Sequence, residues 1–450
     1  MPVEMRIKDA RLDFEETPFR APLKFGGRVV AGSQLAHVAL TVETTDGRRG
    51  EGAGLMPLGN VWGWPSSAVE PDDTAEAARR LTRAATEWVG EYSEGGHPLD
   101  IELSLEHEVE QLAAAVTTAL GLPERMPRLM ALVAASAVAA ALHDAYGKAL
   151  GRNVYDCYGP DFVRHDLSRY LTPEFRGEYL DRYLLFSPRP TLPLYHLVGA
   201  LDPLTPGEVT TPIGDGLPED LGGWIARDDL THLKIKLAGD DLDWDTARVV
   251  GVGRAADASA SRRGIPDAPW HYSLDFNERC RDADYVLALF DRLGREAPGA
   301  MGRVRYVEQP TARDLASPTT SPMHRVAAVR PVVIDESLTG LESLLQAREL
   351  GYSGVALKTC KGHGQALLLG AYAQKAGMFL CVQDLTCPAA SFLHSAGLAA
   401  RVPGVDAIEG NGRQYCPGAS RAWEARYPDL FRPRDGAIRT GLLTGPGLGH

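Results

Sequence analysis

From Met5 to Ala53 apolar and polar residues alternate, as in MRIKDARLDF and LAHVALTVETTDGRRGEG, with a turn signal at Thr45-Asp46-Gly47. A period of two puts every second side chain on one face, so this stretch predicts a small antiparallel sheet with a hairpin at that turn. From about Thr74 to Gly147 apolar residues return every three or four positions, most clearly in AEAARRLTRAATEWVGEY and MALVAASAVAAALHDAYGKAL, which predicts helices. The longest apolar run, Leu129 to Leu142, has 14 residues and is rich in alanine. It is too short to span a bilayer and reads as a buried helix. Residues 1–150 are thus sheet followed by helices.

Residues 151–190 are polar, aromatic and punctuated by proline, and longer than an ordinary connection. Thr172-Pro173-Glu174 is a helix-start signal, and Phe175, Tyr179 and Tyr183 follow four apart, which predicts a short helix docking an aromatic stripe. Beyond Thr191, short apolar strands alternate with helical stretches: LYHLVG, LKIKL, HYSLDF, VRYVEQ, VVIDES, VALKT, FLCVQDL and DAIEG. That is the cadence of a parallel (β/α)8 barrel over 191–415, with an open doubly wound sheet as the competing architecture. A polar residue stands where each strand runs out. Lys236, Asp275, Glu308, Asp335, Lys358, Asp384 and Glu409 are separated by 39, 33, 27, 23, 26 and 25 residues, one βα unit per step. In a barrel all strand C-termini open on one mouth, so these seven residues are expected to meet there.

Charge narrows the partners. Forty-seven Lys and Arg against 59 Asp and Glu leave a net charge of −12, which disfavours nucleic acid. Six cysteines without CxxC or finger spacing indicate neither a disulfide framework nor structural zinc. The opening MPVEMRIKDARLDFEETP has no apolar core of a secretory signal. A reducing cytoplasm and no membrane partner are the expectation.

Asp275, Glu308 and Asp335 would present three hard oxygen donors from successive strands, with no His or Cys beside them. Such a set suits Mg2+, with Mn2+ as a substitute, rather than zinc. Lys236 and Lys358 lie on the strands before and after that triad and would face each other across the mouth. A lysine acts as a base near neutral pH only if its pKa falls from about 10.4 to about 7–8, a depression expected from Lys234, on the same strand face as Lys236, and from the metal. Opposed lysines around a metal-bound carboxylate suit removal and return of the proton α to that carboxylate, through a metal-stabilised enediolate.

With KIK, DFN, VEQP, IDES and LK at successive strands, and HDAYGKALGRNVYDCYG and DGAIRTGLLTGPGLGH flanking them, the chain resembles the enolase superfamily over nearly its whole length. Lysine on both the second and sixth strands resembles its muconate-lactonising subgroup. The resemblance implies a modified (β/α)8 TIM-type barrel with an N-terminal α+β capping domain (1–150), and a segment 416–450 returning to the cap. It implies Asp275, Glu308 and Asp335 as metal ligands, Lys236 and Lys358 as the acid–base pair, and Lys234, Asn277, Glu336, Asp384 and Glu409 in support. The outcome would be racemisation or epimerisation, cycloisomerisation or β-elimination on a small carboxylate, in a homo-oligomer. Substrate-selecting loops would be Arg20 to Gly27, with Lys24 and Phe25, and Leu55 to Pro65, with Trp62 and Trp64. Strand eight carries Glu409-x-Asn411 where dipeptide epimerases resemble one another in Asp-x-Asp. His363 interrupts the usual glycine pair after strand six and is expected in solvent or at the mouth. Arg413 and Tyr415 stand just past strand eight, for a substrate carboxylate or a surface. Two other functions compete: a Schiff-base aldolase using Lys358, and a non-catalytic binding protein on the same scaffold.

Overall fold

The computed structural model describes residues 2–25, 28–265 and 269–450. Alternation near the N-terminus produces a three-stranded antiparallel sheet in the order β1 (Met5–Phe25), β2 (Arg28–Thr44), β3 (Arg49–Pro57). The β2–β3 turn closes at Gly47, whose φ of 85° is cheap only for glycine. Arg20 to Phe25 is the end of a long β-strand rather than a loop. Gly26 and Gly27 lie outside the described residues.

Three helices follow: Pro71–Glu91, Pro98–Leu120 and Arg128–Leu150. The first two open with proline at the first position, and the last two stop at Gly121 and Gly151 in left-handed conformation, the cheapest start and stop a helix has. The 23-residue Arg128–Leu150 helix is long and apolar enough to cross a membrane, yet it is buried inside the protein. Its alanines lie on β3, where Gly50, Gly52 and Gly54 clear one face for it.

Residues 151–190 do not form the expected single helix. Pro173–Phe175 and Leu180–Tyr183 are separate 3-10 turns, split at Gly177, whose φ is 75° and whose N–H is held by Asp166. Phe175 and Tyr183 are nevertheless buried, with Phe175 stacked on Tyr372 at 6.0 Å.

The eight predicted barrel strands are all present: β4 (Leu192–Val198), β5 (His232–Lys236), β6 (His271–Asp275), β7 (Val304–Glu308), β8 (Val332–Ile334), β9 (Gly354–Leu357), β10 (Phe379–Val382) and β11 (Ile408–Glu409). Each pairs in parallel with the next, and β11 pairs with β4, so the sheet closes. Closure leaves no open edge and excludes the doubly wound alternative. A short strand, β12 (Ala437–Ile438), adds antiparallel to β4. The last residues then reach the cap's third helix, where Leu448 N–H donates to Asp144. One continuous apolar core runs from cap residues such as Val38 and Ala141 to barrel residues such as Leu274 and Leu357.

Candidate active site

Strand parity builds the site. A small cluster of Tyr195, Tyr306, Val333, Ala356, Cys381 and Ala407 fills the barrel. Two residues further along five of those strands stand Glu308, Asp335, Lys358, Gln383 and Glu409, and all five are buried. Lys234 and Lys236 share one face of β5 in the same way. Lys236 pairs in register with Asp275, and Asp275 with Glu308, so three site residues lie side by side across three strands. β5 and β9 are four strands apart in a ring of eight, which places Lys236 and Lys358 on opposite walls.

Ion pairs knit these residues together. Lys234 Nζ reaches Glu308 at 2.8 Å, Glu409 at 2.9 Å and Asp275 at 3.1 Å. Lys236 Nζ reaches Asp275 at 2.5 Å, and Lys358 Nζ reaches Asp335 at 2.9 Å. Burial tends to raise the carboxyls, but Lys236 and Lys234 hold Asp275, and Lys358 and Lys361 hold Asp335, below the ordinary carboxylate range. Glu308 goes the other way: burial and the charge of Asp275 push it well above. Burial and Asp335 likewise push Glu336 up to about 7. The expected depression of a catalytic lysine is not seen at Lys358. Burial works to lower it, but the Asp335 carboxylate wins and holds the ammonium above its ordinary value.

The cap enters through Trp62. Its ring lies under the ammonium groups of Lys358 (4.5 Å) and Lys361 (5.4 Å), and its Nε1–H donates to Glu336 at 2.9 Å. Asn277 supports the same acid: its side chain donates to Glu336 and its backbone N–H to Asp275. Trp64 is elsewhere, buried with its Nε1–H on Glu124, because the helical turn Asn60–Gly63 separates the directions of the two rings. Lys24 is exposed near the hairpin end, and the side chain of Phe25 lies outside the described residues.

On β10 the inward residue is Gln383, which donates to Glu308. Asp384, one position on and past the end of the strand, is buried within reach of the charges of Glu409 and Lys358 and accepts N–H bonds from Thr386, Cys387 and Asn411. Glu409 is bound by Lys234 and by Asn411. His363 lies neither in solvent nor at the mouth. It is fully buried, 4.8 Å from the ring of His143, because the cap covers the start of its helix. Arg413 pairs with Asp228 and donates to His196, and Tyr415 donates to Asp202, so both serve the fold between barrel and loop.

Pattern alone missed three residues. Lys361 donates to the carbonyl and carboxylate of Asp335; its spacing of three from Lys358 is the signal, since a 3-10 turn superposes such residues. Gln383 was legible from its parity with Cys381. Arg313 grips Glu278 and the carbonyl of Trp62 and left no signal. Around the mouth Asn277, Glu278, Gln309 and Thr386 all have positive φ, from 32° to 68°. Strain of this kind persists where surroundings over-determine the backbone, as at reaction sites.

Among the described residues no three acids are gathered as a ready metal cage, since each of Asp275, Glu308 and Asp335 is drawn to a lysine. The donor chemistry nonetheless fits a hard divalent cation. Three carboxylates end adjacent strands, one of them, Glu308, and the nearby Glu336 are pushed toward protonation, and Glu336 Oε2 is buried without a hydrogen-bond partner among the described residues.

Residues 219–450 match the family model described as enolase C-terminal domain-like. The chain belongs to that family. That family places it in the enolase superfamily. No curated protein matches it. Solved structures agree on the fold across both domains. The L-Ala-D/L-Glu epimerase from Bacillus subtilis is 17% identical, with TM-score 0.62 over 99% of this chain and 98% of its own. The muconate lactonizing enzyme from Pseudomonas fluorescens is 21% identical, with TM-score 0.60 over 99% and 96%. The N-succinyl Arg/Lys racemase from Bacillus cereus is 18% identical, with TM-score 0.60 over 99% and 95%.

Proposed function

We propose that this family member moves the proton α to a substrate carboxylate, with Lys236 and Lys358 as the acid–base pair on opposite walls of the barrel mouth. The observation that carries this is their placement: two buried lysines four strands apart, separated by three strands that each end in a carboxylate. One lysine removes the proton from one face of the α-carbon and the other returns one to the opposite face. To act as the base, Lys358 must first be relieved of the charge of Asp335, which keeps its ammonium protonated. Mg2+ (or Mn2+) held by Asp275, Glu308 and Asp335 would take up that charge and stabilise the negative charge building on the substrate's carboxylate. Lys234 holds Glu308 and Glu409 in place, Asn277 orients Glu336, and the Trp62 ring excludes water from the side of Lys358 that it covers.

The substrate class is narrowed by strand eight. Glu409 already accepts from Lys234 and Asn411, so it offers little to a free substrate ammonium. This favours N-acylated or non-amino acids over dipeptides. Racemisation and β-elimination both begin with the same proton transfer, and cycloisomerisation passes through the same enediolate.

The test is incubation in D2O with Mg2+ and a panel of N-succinyl amino acids, muconate and dipeptides, read by NMR. Deuterium is expected at the α-carbon of an acylated or non-amino acid. Lys236→Ala and Lys358→Ala should each slow exchange about 10²–10⁴-fold. Exchange that persists in both variants would end the proposal.

A further inference from the structure

The glycines flanking His363 stand at a contact between cap and barrel. Glu102, on the cap helix Pro98–Leu120, is buried, and its carboxylate accepts the backbone N–H groups of Gly364 at 2.8 Å and Gln365 at 3.3 Å. These amides open the helix His363–Lys375, so the acid also meets the positive end of that helix. A side chain on either glycine would collide with it: a Cβ on Gly362 would lie 2.7 Å from Glu102 Oε1, and one on Gly364 2.7 Å from Oε2. Glycine on both sides of His363 therefore gives the carboxylate its approach.

The acid is itself held. His143 donates Nε2–H to Glu102 at 2.8 Å and accepts the Tyr158 hydroxyl at Nδ1 at 2.7 Å. Burial keeps His143 neutral, with its pKa down at about 3, which fits one donor and one acceptor nitrogen. Between the gripped amides and Lys358 lie only Gly362, His363 and the 3-10 turn Thr359–Lys361, which is closed by Lys361 N–H on the Lys358 carbonyl. Lys361 in turn fastens Asp335.

We infer that Glu102 is a positioning residue for Lys358 and Lys361, with the cap setting their turn through the amides of Gly364 and Gln365. The kinetic consequence rests on the acid–base role proposed for Lys358; the structural consequence does not.

Two variants of the full chain test it. Glu102→Gln keeps the size but turns an NH2 toward donors, and Gly364→Ala leaves the charge while crowding it out at a right-handed position that alanine tolerates. Hydrogen exchange read by mass spectrometry should show the Gly364 and Gln365 amides opening about tenfold faster or more in both, with the Ala366–Lys375 stretch unchanged. Acetic anhydride should label Lys358 and Lys361 faster than in the wild type. With the acid of the panel that the wild type exchanges fastest, kcat should fall about tenfold or more with KM nearly unchanged. If the wild type exchanges none, the proposed function fails while the amide and labelling measurements still decide this inference. A merely structural role would lower the melting midpoint and leave labelling and kcat per folded molecule as they were. That result, or unchanged amide exchange in a folded variant of either kind, overturns it; should Glu102→Gln not fold, Gly364→Ala decides.

Discussion

At the scale of single residues, the Trp62 indole carries the cap into the mouth. Trp62 gives its N–H to Glu336 Oε1 while the other oxygen of that acid has no hydrogen-bond partner among the described residues, so the bond is one of few satisfying a buried carboxyl. Trp62→Phe keeps the ring beneath Lys358 and deletes the donor. It should cost about 1–3 kcal/mol in urea unfolding, the range for a buried polar group losing its partner. A cost near zero would show that Asn277 alone suffices. Glu106 gives a pH signature. Burial, with the charge of Glu102 beside it, pushes its carboxyl up to about 7 against an ordinary 4.5, although Arg128 pulls the other way. The folded protein then binds a proton that the unfolded chain has already released. The stability this contributes is complete below about pH 4.5 and is lost as pH rises through about 7. Glu106→Gln should flatten the fall in melting midpoint between pH 5 and 8; equal slopes would refute the assignment.

At the scale of elements, the tightest seam is β3 against the Arg128–Leu150 helix. A Cβ on Gly52 would lie 2.1 Å from the backbone N of Ala145, where no side chain can rotate aside. Gly52→Ala should therefore destabilise by about 1–3 kcal/mol or more, measurable in denaturant, whereas Gly121→Ala, with open space around it, would pay only for its left-handed φ of 65°. The helix was legible from its alanine run because burial on all sides leaves a continuous apolar signature. Its partner strand was legible from alternation, but the role of that strand's glycines was not, because the need for a bare backbone appears only when the two surfaces meet. The same division holds at the mouth. Lys236, Asp275, Glu308, Asp335, Lys358 and Glu409 were legible from βα spacing, since each ends a strand on its inward face. Gln383 was passed over beside Asp384 because spacing locates a strand end to within a residue, while parity, a finer property, shows that its neighbour also turns inward. Trp64 and the two 3-10 turns escaped for a related reason: direction there is set by a single short turn and by Gly177, not by any repeat.

At the scale of the molecule, cap and barrel share one apolar core, and polar contacts fasten the seam at separate points. Glu102 holds the start of a barrel helix, Arg313 holds the Trp62 carbonyl, and Arg20 of the hairpin makes a two-toothed pair with Asp215 at 2.6 and 2.9 Å. Asp215 belongs to the connection between β4 and the helix Leu221–Asp228, so this pair ties the hairpin to the barrel rim. Exposed ion pairs contribute little, but two parallel bonds with the arginine largely covered belong at the upper end of that range. A double-mutant cycle on Arg20→Ala and Asp215→Ala should give a coupling of about 1 kcal/mol. A core continuous across the seam means that the cap cannot melt alone without exposing barrel side chains. Unfolding followed by far-ultraviolet and near-ultraviolet circular dichroism should therefore trace one coincident transition, in the wild type and in Arg20→Ala alike. Two separated transitions would show that the seam is held by its polar contacts rather than by the shared core, and the Arg20→Ala variant, with one such contact gone, would then show the wider separation.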